Sequence, residues 1–122
     1  MVKLVEMDKT VTIFTQLEQN KGPVVLINKF DVEPEEADQF LKAWAEHSVY
    51  FKKQPGFIST QLHRGIGGSS MFVNYAVWES TELFKKALNN PESNSLLDKY
   101  PPSTIASPHL FEKVAVPGIC VT

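Results

Sequence analysis

Cysteine is almost missing: Cys120 is the only one in 122 residues. A single thiol excludes an intrachain disulfide framework and a cysteine-rich zinc site. Positive charge is not in surplus either. Twelve Lys and Arg stand against fourteen Asp and Glu, a net charge of −2. Nothing on such a chain is built to neutralise a row of phosphates, so nucleic acid is not an expected partner. No apolar run approaches the ~20 residues that a membrane span requires. The first twenty residues are polar and mixed in charge, unlike a signal peptide. A cytoplasmic protein with no membrane partner is therefore the expectation. Signatures of cofactor chemistry are missing too. No dinucleotide fingerprint occurs, and Gly65-Ile66-Gly67-Gly68 lacks the Lys-Ser/Thr of a phosphate loop. His47, His63 and His109 are widely spaced and form no metal-binding pair. No resident metal and no cofactor are expected.

What is present is ordinary globular material with one excess. Hydrophobic residues make up 43% and charged residues 21%, but aromatics reach 11%, with eight Phe. The length suits one domain with its own core. Residues 1–22 read as an N-terminal arm, strand-like over residues 10–15, and Gly22-Pro23 punctuates the chain. Residues 24–32 alternate as a strand whose core-facing set is Val24, Leu26, Asn28, Phe30 and Val32. Pro34 and the acidic residues after it suit a helix start. Ala37, Phe40, Leu41, Trp44, Ser48 and Phe51 then recur at helical spacing, until Gln54-Pro55-Gly56 stops the helix. Strands follow over residues 57–64 and 71–79. Ser80 caps a second helix carrying Leu83, Phe84, Ala87 and Leu88 inward. A short helix over residues 93–100 and a last strand over residues 109–116 complete the order.

That order is βαββαβ, an α+β ferredoxin-like plait with both helices on one sheet face. The plait is expected over residues 23–117, with residues 118–122 as a tail. The opposite strand parity still carries Val25, Ile27, Val73, Tyr75 and Val77. An apolar sheet face without helices calls for a partner, and a two-fold homodimer is the simplest one.

Two polar residues interrupt the helix-side rows. Asn28 breaks the first strand. Asn74 breaks the third, in a row with Phe72, Ala76 and Trp78. The first and third strands are central neighbours in the plait, so Asn28, Asn74 and Trp78 should meet between sheet and helices. Each alone reads as ordinary core. Together they imply a pocket, because buried amides beside a large aromatic need partners that the apolar row does not supply. Trp44 is placed to roof it, with Phe72 and Phe84 as further walls and His63 as a candidate base.

The segment from Phe72 through Trp78-Glu79-Ser80 to Phe84, with the Pro55-Gly56-Phe57 turn, resembles the antibiotic biosynthesis monooxygenase domain family. The resemblance spans residues 23–116. It implies a dimeric α+β barrel. It also implies, for some members, cofactor-independent oxidation of polycyclic phenols such as anthrones to quinones with molecular oxygen. Asn28, Asn74 and Trp78 match the asparagine of the first strand and the Asn-x-x-x-Trp pair of the third in such members. Phe84 stands where some carry a tyrosine, so tyrosine-assisted proton transfer does not carry over. Haem-degrading members use a tryptophan where Ala87 stands and a histidine after it. No histidine lies between His63 and His109, which disfavours haem degradation. A non-catalytic dimeric binding or stress-associated module of the same fold is the alternative to an enzyme.

Overall fold

The alternation seen along residues 24–31 forms the centre of the sheet. The computed structural model describes residues 2–121. Strands β2 (Val24–Asp31), β3 (Phe57–Arg64), β4 (Met71–Trp78) and β5 (Ile105–Phe111) pair antiparallel, and a two-residue strand β1 (Lys3–Leu4) joins β5 in parallel. The sheet order is β1-β5-β2-β4-β3. Apart from β1, this is the ferredoxin-like arrangement, with β2 and β4 as central neighbours.

Three of the helices among the described residues begin where a side-chain oxygen accepts from a free N–H group. Helix α1 (Ile13–Leu17) is capped by the Thr12 hydroxyl, which accepts from Thr15 N at 3.3 Å. A 3₁₀ turn at Pro34–Glu36 leads into α2 (Ala37–Lys52). In α3 (Thr81–Asn89) the Ser80 hydroxyl accepts from Leu83 N at 3.2 Å. Asn90 caps α4 (Pro91–Leu97), accepting from Glu92 N at 2.9 Å. Gly56 turns the chain from α2 into β3 at a φ of 90°, and a Cβ there would strike the Leu83 side chain.

Three expectations need correction. Residues 10–15 are not a strand: Thr12 caps a helix, and the extra strand lies earlier, at Lys3–Leu4. The short helix spans Pro91–Leu97 rather than residues 93–100. The last strand is Ile105–Phe111, earlier than residues 109–116. Pro108 hides it in the sequence, since proline lacks the ladder donor. The strand tolerates it because β1 pairs only with Ile105 and Ala106, which leaves a sheet edge beside Pro108.

Register explains how the core is divided. The helix-side row across the sheet centre is Pro108, Asn28, Asn74 and Leu62. On one side of it lies an apolar cluster containing Val24, Leu26, Ala76, Trp78, Phe84 and Ile13. On the other lies a second cluster built on Phe30, Phe40, Phe72 and Tyr100. Ile13 comes from the segment ahead of residue 23, so that segment packs into the same core. On the far face, Tyr75 is 39% exposed and Met71 and Phe111 are each 38% exposed.

Candidate active site

A cavity of about 670 Å³ opens between the sheet and the helices, where the polar row separates the two clusters. Its size is that of a site for a drug-sized ligand. Asn28 and Asn74 line it from adjacent strands and are direct cross-strand partners. Trp78, Trp44 and Phe84 line it as well.

The two amides are in different states. Thr60, on β3, donates its hydroxyl proton to Asn74 Oδ1 at 2.5 Å. With its oxygen engaged, Asn74 has its Nδ2 protons left to offer. Asn28 Oδ1 is buried and has no hydrogen-bond partner. Such an orphan acceptor costs roughly 1–3 kcal/mol, which a fold has no structural reason to keep in an otherwise apolar row.

Trp78 is only 1% exposed. Phe51 and Phe57 meet its ring edge-on, at 5.8 Å and 5.5 Å between centroids, and Phe84 packs at 5.2 Å. This collar fixes the indole plane as one wall. Trp44 projects from α2 and is only partly buried.

Two predicted residues lie elsewhere. Phe72 shares the parity of Asn74 but sits deep in the second cluster, 4.7 Å from the Phe40 ring and with the Arg64 guanidinium 5.1 Å from its centroid. His63 pairs in register with Val73, on the face opposite the helices, and its ring meets Val73 O. One strand position decides this, because neighbouring residues point to opposite faces.

Sequence reasoning missed Thr60 and His47. His47 lines the cavity from α2 and is buried. Its spacing from Phe40 and Trp44, seven and three residues, is the signal that was available. The ring nitrogens bond Ser93 Oγ at 2.9 Å and Tyr100 OH at 3.3 Å, and the ring stacks on Phe51 at 4.4 Å. Burial lowers its pKa to about 4, so the imidazole is neutral at pH 7. Burial also raises that of the Tyr100 phenol, which stays protonated. Both imidazole nitrogens are thus committed to the protein.

Residues 23–96 match the family model described as Antibiotic biosynthesis monooxygenase, and the chain belongs to that family. Among individual relatives, it is 34% identical over 68 residues to deoxynogalonate monooxygenase of Streptomyces nogalater, a match covering 56% of this chain and 57% of the relative. It is 32% identical over 69 residues to a heme oxygenase (mycobilin-producing) of Mycobacterium tuberculosis, covering 57% of this chain and 66% of that one. The chain thus spans less than two thirds of these relatives. The fold is shared with SnoaB of Streptomyces nogalater, a cofactor-independent oxygenase, at a TM-score of 0.73 and 24% identity, over 80% of this chain and 99% of SnoaB. PA3566 of Pseudomonas aeruginosa shares it at a TM-score of 0.65 and 13% identity, over 78% and 97%. Among the described residues no helix is long and apolar enough to cross a membrane.

Proposed function

We propose that the protein is a cofactor-independent monooxygenase that oxidises a phenolic or quinol-type aromatic with molecular oxygen, acting as a homodimer. The observation that carries this reading is the pair of cross-strand amides beside a fixed indole: Asn74 oriented by Thr60, Asn28 with an unmatched oxygen. Membership of the family and the similarity to deoxynogalonate monooxygenase support it.

In this reading the aromatic lies along Trp78 beneath Trp44. The Asn74 N–H group donates to the substrate's phenolic or enolic oxygen. Such donors stabilise the anion, lower the substrate's own pKa and act in a site shielded from water. The electron-rich anion passes an electron to oxygen, and recombination forms a C–O bond to a peroxide. Proton return and loss of water from the protonated peroxide leave a carbonyl. In sum, an activated methylene and one molecule of dioxygen give a carbonyl and one molecule of water. One oxygen atom enters the product, and the other leaves in the water with the two methylene hydrogens.

A second reading is a non-catalytic small-molecule-binding module of the same fold. The commitment of both His47 nitrogens favours it, because a histidine so engaged is not free to take a substrate proton. Haem is a poor fit for a related reason. His47 is the only histidine lining the cavity among the described residues, and it has no free nitrogen for an iron.

Oxygen uptake with a panel of anthrones and hydroquinones in metal-free buffer separates the first two readings. With an anthrone, whose methylene becomes a carbonyl, the enzyme incorporates one labelled atom from ¹⁸O₂ into the quinone product, faster than the buffer alone. Binding with no uptake above the uncatalysed rate would establish the module instead.

A further inference from the structure

The segment ahead of residue 23 lies outside the family match, yet it builds part of the cavity. Ile13, Phe14, Leu17 and Glu18 of and beside α1 all line it. Ile13 and Gln16 are buried and hold the helix to the core. Phe14 and Leu17, also three apart, share the neighbouring face. Leu17 packs against the core cluster, whereas Phe14 is 66% exposed. A ring that lines a cavity while most of it meets solvent stands at the rim.

The helix is tied down at both ends. Gln16 accepts from Leu110 N at 2.7 Å and donates to Val11 O at 2.8 Å. Glu6 accepts from Ile13 N at 2.9 Å. The Thr81 hydroxyl donates to Gln19 O, and Lys85 pairs with Glu18, joining the segment to α3. A five-residue helix held by this many contacts is a wall of the cavity and not a loose flap.

We propose that α1 belongs to the binding site and that Phe14 is a specificity-determining residue, closing one end of the cavity against larger ring systems. The inference rests on reading the cavity as a site for aromatic substrates. It assigns the choice among them to a segment the family model does not include.

Full-length wild type, Phe14→Ala and Phe14→Trp are titrated with naphthol and with dithranol, a three-ring dihydroxyanthrone. The readout is emission from Trp44 and Trp78, which line the same cavity. Phe14→Ala should shift the ratio of the two Kd values about tenfold towards the larger ligand, and Phe14→Trp should shift it the other way. An unchanged ratio in both variants overturns the proposal. Acrylamide quenching of the same tryptophans gives a readout independent of substrate class, with Ile66→Ala, at a 95% exposed turn position, as the control. Quenching should rise in Phe14→Ala and stay at the wild-type level in the control. If neither phenol binds but quenching rises, the substrate reading fails and the wall assignment stands. Quenching unchanged in Phe14→Ala overturns the assignment.

Discussion

Asn28 is the residue whose environment says most about the site. Its Oδ1 is enclosed without a partner in a row flanked by Leu26 and Phe30. Leucine has the same branched shape, though it is larger, and no polar atom to bury. If the amide is retained for a ligand, Asn28→Leu should raise the denaturation midpoint by a few degrees and abolish turnover. A large loss of stability would assign the amide a structural role instead. Thr60 is a positioning residue in the same account, acting through Asn74 Oδ1. Thr60→Val should lower kcat about tenfold with KM little changed, and Thr60→Ser should restore it. A Thr60→Ser variant as slow as Thr60→Val would contradict the hydrogen-bond role. That Asn28, Asn74 and Trp78 line one cavity was legible from strand parity, because a period of two leaves no choice of face once the strand is placed. Thr60 was not legible. Its contact is diagonal across a strand pair, and a bulge between Phe57 and Ser59 shifts that register.

At the scale of elements, α2 and α4 are joined by the buried cluster of His47, Ser93 and Tyr100. His47 has a pKa of about 4 in the fold, lowered by burial, against an ordinary value near 6.5. The unfolded chain therefore takes up a proton between pH 6.5 and 4 that the folded chain refuses. Stability is full above pH 6.5, falls through that window and levels off below it. The loss attributable to this group is on the order of 3 kcal/mol. Urea midpoints from pH 7 to pH 4 should show the decline, and His47→Phe should flatten it. An equally steep decline in the variant would remove His47 as the cause. The elements themselves were read well wherever periodicity was unbroken, as along β2, α2 and β4. They were misread where a local rule overrode composition. Thr12 turned a β-rich stretch into a helix start, and Pro108 disguised β5.

For the whole molecule, the far sheet face is open in part: Tyr75 and Met71 are exposed on it with Val73 between them, while Val25 is buried. Sedimentation at micromolar concentration should give one species of twice the chain mass, and Tyr75→Asp should shift it towards the single chain. A wild-type monomer across dilution would contradict the dimer. This face was legible because it needs only strand parity. The contribution of residues 1–22 was not, since the short helix that brings Phe14 to the cavity rim depends on side-chain ties to Leu110 and Thr81.

In the proposed reaction the Asn74 amide, oriented by Thr60, stabilises the aromatic anion while it reduces oxygen. The most direct test compares oxygen uptake by wild type and Asn74→Ala on whichever anthrone or hydroquinone the wild type turns over. Matched thermal unfolding curves exclude a folding defect. Loss of one preorganised donor should slow turnover by about 10²–10³-fold, equivalent to roughly 2.7–4 kcal/mol. A folded Asn74→Ala protein that consumes oxygen at the wild-type rate would rule out Asn74 as that donor.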